Sequence, residues 1–412
     1  MRALLLTTGI AALSLQAQPR VQTFTLPNGL QVLLLEDHEH PLVRVRLHLK
    51  MEATDTPAGH QGLPLLVMQM FAHSDVADLK VEEFNRLQEE SGIQLSHTLK
   101  PDGLEWQLVA RSRDQDRALG LLANRLLRTV FDPSMLEIQR LACWRQENRQ
   151  ADDPHTRLLQ ALAQNPDSKP TLTTLGAISW EDLLTFRAKV FRPDRAVLVL
   201  HGDLGLEQAK RLVLLSLGSW TVQAPPKPTD PLSARPSNQP LAAPAGPPRI
   251  IAPGAGIRIQ AFAVQPSQLT PETRLLLRLL IDGNATLHPV RMAAHQGGLV
   301  ATLDAEADAS GSGAWSLLHE RLEALCRRGF TSTDLEHARA VWQASRSLDS
   351  LHPEAQVDAT LAEAMGRAVT MEGMKAVSLE KLNEGLRSWL APANLRSGAA
   401  GEPAWLKTLP KP

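Results

Sequence analysis

The order of elements along the chain predicts an α+β fold built twice: two homologous α/β-sandwich domains, each a mainly antiparallel sheet packed against helices, joined by a proline-rich linker. Three observations carry this. Short apolar or alternating runs come as hairpin pairs with helical runs grouped between them, which segregates strands from helices within a domain. Residues 223–248 contain Ala-Pro-Pro-Lys-Pro-Thr-Asp-Pro and four further proline sites, too many for a helix or an interior strand, so they read as an extended linker. Elements found before that stretch recur after it.

In chain order, Met1-Arg2, an apolar run from Ala3 to Leu15 and a small-residue end at Ala17 have the form of an export signal over residues 1–17. The mature chain is therefore expected outside the cytoplasm, in the periplasm. The first domain is expected over 20–222. Thr23 to Leu35 reads as two strands joined at Pro27-Asn28-Gly29. Leu42 to Leu49 alternates, the mark of a strand with one buried face. Gly62 to His73 and Val81 to Ser91 read as helices, the second stopped at Gly92. A hairpin spans Pro101-Asp102-Gly103, and long helices follow over 115–129 and 134–150.

The second domain is expected over 249–405. The first domain closes with Ser179-Trp-Glu-Asp, a Pro193 turn, then Ala196-Val-Leu-Val-Leu ending in Gly202-Asp203. The second repeats this as Ser378-Leu-Glu-Lys, a Pro392 turn and a weaker strand ending in Gly401-Glu402. A period near 200 residues is duplication of a whole domain, not a solenoid repeat. Ala309-Ser-Gly-Ser-Gly reads as a hairpin tip.

Composition narrows the function. Lys and Arg number 43 against 44 acidic residues, scattered along the chain, so no field favours a nucleic-acid partner. Beyond the signal no run is long and apolar enough to cross a membrane. There is no tyrosine, which excludes any mechanism that needs a phenol. Walker-type loops, Gly-x-Ser-x-Gly elbows and zinc-finger spacings are absent from the sequence. Cys143 and Cys326 fall in separate domains in apolar helical settings and are expected to be buried, unpaired thiols.

The run Leu26-Pro-Asn-Gly-Leu-Gln-Val, the Gly62-Leu63 helix start, Phe84 to Leu95, Phe131-Asp-Pro and Phe191-Arg-Pro-Asp-Arg-Ala-Val-Leu-Val-Leu-His-Gly-Asp together resemble the insulinase/pitrilysin-like zinc peptidases. Leu279 to Val300 and the Gly329-Phe-Thr-Ser-Thr-Asp helix start extend the resemblance into the second half. It implies an inverted H-x-x-E-H helix, whose two histidines hold zinc while the glutamate is the general base. A further glutamate ligand comes from a later helix.

Registered on Gly62-Leu63, the three motif positions are Leu65, Met68 and Gln69. The degenerate motif implies no catalytic residue and no zinc cofactor. Glu147 is the vestigial candidate for the later ligand, and Arg291 resembles the family's substrate-holding arginine in a second-domain helix. His60, His73 and His97, or His38, His40 and His48, offer no i, i+4 pair around a carboxylate.

The expected function is that of an exported pseudopeptidase subunit, paired as a hetero-oligomer with an active insulinase-like zinc-peptidase subunit and in contact with peptides. An autonomous peptide-binding or scaffolding protein is the alternative. An active zinc-dependent endopeptidase is a third reading.

Overall fold

The structure is a computed structural model that describes residues 21–222 and 249–409, apart from 101, 150–153, 164–169, 252–256, 265–269, 283–288, 296–297, 306–310, 392–393 and 408. The expected signal and linker lie outside the described residues.

The first half runs β1 (Gln22–Thr25), β2 (Gln31–Glu36), β3 (Leu42–Lys50), α1 (Leu63–His73), β4 (Asp75–Val76), α2 (Val81–Glu90), β5 (Gln94–Lys100) and β6 (Gly103–Arg111). It continues through α3 (Gln115–Leu127), β7 (Thr129–Val130), α4 (Leu136–Arg149), α5 (Pro154–Ala163), α6 (Leu172–Ala177), α7 (Trp180–Val190), β8 (Ala196–Gly202) and α8 (Leu206–Leu217). The second half holds β9 (Arg249–Ile251), β10 (Ile257–Val264), α9 (Pro271–Asp282), β11 (Arg291–His295), β12 (Gly298–Ala305) and α10 (Gly311–Arg328). It ends with α11 (Ser332–Asp349), α12 (Pro353–Ala364), α13 (Met371–Ala376), α14 (Leu379–Trp389), β13 (Leu395–Gly401) and α15 (Pro403–Leu406).

The main sheets repeat one topology. The first is ordered β1-β2-β8-β3-β6-β5 and the second β11-β12-β10-β13-β9. In each, the strand that closes the half lies inside the sheet: β8 pairs in parallel with β2 and antiparallel with β3, and β13 pairs in parallel with β9 and antiparallel with β10. The Arg-Ser-Gly-Ala-Ala run, poor in β-branched residues, thus still forms an interior strand, because neighbours on both sides satisfy its backbone.

Each half packs helices on one face of its sheet around its own apolar cluster. The opposite face is closed reciprocally. Helix α12, from the second half, sets Val357 and Leu361 against Leu33, Leu35, Val197 and Val199 of the first sheet. Helix α5, from the first half, sets Leu158 and Leu162 against Val300 and Ala400 of the second.

This exchange explains why β3 departs from the single buried face that its alternation suggests. Arg46 and His48 sit on the α12 side and are buried as deeply as the core leucines, with Glu105 of β6 beside them. Two other expectations change. Arg291 lies on the sheet-edge strand β11, not on a helix, since Arg291 to His295 pairs residue by residue with Gly298 to Thr302. Gly311-Ser-Gly opens α10, so this part of the small-residue run is helical, not a hairpin tip, while Ala309 and Ser310 lie outside the described residues.

Candidate functional site

Helix α1 begins where Gly62 adopts φ 97°, a left-handed turn open to glycine without strain. A Cβ there would stand 2.7 Å from Leu175 of α6 and 2.6 Å from Pro170, so the same glycine permits close packing of the helix start. Pro64 lies in the first turn, where no intrahelical N–H is needed. At the other end, buried Arg125 donates to the carbonyls of Phe71 and Ser74 at 2.9 and 3.0 Å and to Asn85 Oδ1 at 3.2 Å. These bonds satisfy carbonyls that the end of a helix leaves free. Burial lowers the Arg125 guanidinium to about 10. Phe71 packs among Trp106, Phe131 and Phe191, with ring centroids 4.7–5.6 Å away.

Of the three motif positions, Met68 is buried in this core and Leu65 packs half-buried against it. The half-buried Gln69 reaches α4, where its Nε2 donates to Gln146 Oε1 at 2.8 Å. The residue of α4 that hydrogen-bonds the motif position is thus Gln146, the neighbour of the expected Glu147. Leu136, Gln139 and Cys143 recur at helical spacing and are buried, with exposed Gln146 and half-buried Glu147 on either side of that line one turn further on. Half-buried Glu147 lies one turn beyond Cys143; its charge, after burial, helps push the Cys143 thiol up to about 12. Cys143 is buried and Cys326 half-buried, and both are free.

These side chains do not fit a catalytic zinc. Leu65 has no donor atom, Met68 offers a thioether, and the two amides already satisfy one another. No carboxylate stands at position 68 to take a proton from water. The nearby histidines are otherwise engaged. His60 lies 3.4 Å from Asp182. His97 hydrogen-bonds the Met68 backbone, and burial, with the charges of Arg125 and His73, holds it below its ordinary value. Arg291 is largely exposed and ion-paired with Asp304, which also binds Arg258.

Comparison with known proteins bears on the fold. The sequence pattern described as "Peptidase M16 inactive domain" matches residues 177–252, the stretch that holds α7, β8 and α8. That match is confined to a minor part of the chain and lies outside α1 and α4. The chain's fold superposes on that of a protease from Helicobacter pylori with a TM-score of 0.73 at 13% identity, covering 94% of this chain and 100% of that one. A peptidase M16 inactive domain from Pseudomonas fluorescens gives 0.70 at 16% identity over 95% and 100%. The periplasmic protease PqqL from Escherichia coli gives 0.68 at 14% identity over 94% of this chain and 46% of PqqL. No curated protein matches the chain in sequence. No described helix is long and apolar enough to cross a membrane.

Sequence reasoning missed a second group of residues, on the α12 side of the first sheet. Arg46 Nη1 lies 3.4 Å from Glu105 Oε1, its Nη2 donates to Glu354 Oε2 at 2.7 Å, and it pairs with Asp358. Arg44 reaches Glu354 at 3.1 Å, and Arg367 pairs with Asp102. Despite desolvation, which acts against it, Glu105 is held below the usual carboxylate range by His48, Gln107 and Arg46. Asp358 is raised by burial. This cluster joins the two halves.

Proposed function

We propose that the mature chain is a non-catalytic, exported subunit that pairs with an active insulinase-like zinc-peptidase subunit and shapes or stabilises its chamber. The observation that carries this reading is the Gln69–Gln146 hydrogen bond beside buried Met68. The helix pair that would hold a metal has become neutral packing, while the two-half frame around it is complete. The fold shared with the periplasmic protease PqqL supports a periplasmic setting, as does the export signal.

The test has two parts. The purified mature chain, assayed alone on a mixture of unstructured peptides, is expected to give no chelator-sensitive hydrolysis; such hydrolysis would sink the proposal. A native pull-down from the periplasmic fraction is expected to recover a zinc peptidase carrying an intact H-x-x-E-H motif. Recovery of peptides without that enzyme would favour an autonomous peptide binder. A cleft of about 570 Å³ in the second half, lined by Thr273, Leu276, Ser388, Trp389 and Arg396, offers such a binder both apolar and polar contacts.

A further inference from the structure

We propose that the cleft where the start of α9 meets the end of α14 binds a small zwitterion with an apolar body, the chemistry of a free apolar amino acid or a very short peptide. The cleft has a volume of about 570 Å³, within the size range of small-molecule sites. Its wall combines the buried Leu276, Leu382 and Trp389 with the charged Glu272 and Arg396.

A second observation concerns how that space is kept open. Gly385 lies inside α14 and lines the cleft, although glycine is, after proline, the poorest residue for a helix interior. Its backbone is not left-handed, so no turn demands it. A Cβ there would meet a single atom within 4 Å, Leu276 Cδ2 at 3.8 Å, which is ordinary contact, so no close approach demands it either. What the glycine provides is room. A longer side chain, starting beside Leu276 on the cleft wall, would take that room up.

Charge selects the ligand. Both helix ends at the cleft are capped from within the chain: Thr270 Oγ1 accepts from Thr273 N–H at 3.3 Å, and Asn394 Nδ2 donates to Ser388 O at 2.6 Å. Recognition of charge therefore falls to side chains. Half-buried Glu272 has no hydrogen bond or ion pair to its carboxylate among the described residues, and Arg396 brings a guanidinium from β13. A carboxylate and a guanidinium on one cleft match a ligand that carries both an ammonium and a carboxylate, the latter open to two parallel N–H bonds from arginine. Trp389 and the two leucines match an apolar side chain. The cleft shares no residue with α1 or α4, so the proposal stands apart from the pairing with a peptidase subunit and from the motif positions.

The test is calorimetric titration of the full mature chain at neutral pH with L-leucine, L-phenylalanine and the dipeptide Leu-Leu, set against N-acetyl-phenylalanine amide, which keeps the apolar body and loses both charges. One equivalent of a free amino acid or of the dipeptide is expected to bind, roughly tenfold or more tighter than the capped amide; the tighter of the two tells a free amino acid from a peptide as the source. Glu272→Gln and Arg396→Gln are each expected to weaken binding by a similar factor. Gly385→Met, which adds a helix-favouring side chain, is expected to abolish it while the thermal midpoint holds or rises. No binding of any probe overturns the proposal, as does equal binding of the capped amide or an equivalent that survives folded Gly385→Met. Should that variant fail to fold, the two charge substitutions decide, and binding unchanged by both overturns the proposal equally.

Discussion

On the helix-packed face of the first sheet, α1 meets hydrocarbon and one pair of neutral amides, whereas on the other face α12 covers Arg46, His48, Glu105 and His201 together with an apolar strip. The comparison separates two uses of polar residues. At Leu65, Met68 and Gln69 the chain has packing and a neutral amide and no charge. Where the two halves meet, it keeps buried charge, and each member has a partner across the joint or a neighbour on the sheet. Buried ion pairs of this kind contribute less to net stability than to fixing one arrangement, yet removing one partner is strongly destabilising.

The largest expected effect comes from Arg46→Met, which leaves Glu105 buried without its guanidinium. Denaturant unfolding should show a loss of about 3–5 kcal/mol, and a loss below 1 kcal/mol would mean that the charged face does not hold the halves together. Next is Leu361→Ala, which cuts the apolar strip beneath α12. It should cost about 2–4 kcal/mol and speed hydrogen exchange in α12 before α1; equal protection in both helices would break the contrast.

A pH effect follows. Burial first of all holds His201 below its ordinary 6.5, so the folded chain favours the neutral ring. Its contribution is present in full above 6.5 and is lost as the pH falls through the lowered folded value. His97 shares that sign, so the informative quantity is a difference. Comparing unfolding free energies at pH 7.5 and 5.5, His201→Asn should lose less on acidification than the native chain, and an identical loss would remove His201 from the joint. The smallest effect belongs to Gln69→Ala. It deletes one neutral, partly exposed hydrogen bond and should cost no more than about 1 kcal/mol, because on this side of the sheet the hydrocarbon carries the stability.

How much of this could be read from the sequence depends on how local the cause is. The α1 start was legible because Gly62, Pro64 and the apolar run that follows act within a few residues, and the duplication was legible because capped helix, proline turn and closing strand recur in order. The fate of Arg46 and His48 was not, since the helix that buries them lies some 310 positions further along and an alternating strand looks the same with one covered face or two. The end of α4 shows a middle case: the line through Gln139 and Cys143 leads to Glu147, while the bond to Gln69 is made by its neighbour Gln146, which no local pattern singles out. The helix setting of Arg291 is implied by the resemblance alone, and residue-by-residue pairing of β11 with β12 puts it on an edge strand instead.

The reciprocal exchange of α5 and α12 bears on how the molecule comes into being. A chain emerging from its N-terminus completes the last strand of the first sheet at Gly202 long before Val357 and Leu361 exist. Until they arrive, Leu33, Leu35, Val197 and Val199 remain a bare apolar surface, a target for chaperones and for unwanted association. The N-terminal half therefore cannot mature ahead of its neighbour, and a stop anywhere before α12 leaves an aggregation-prone fragment instead of a smaller working protein.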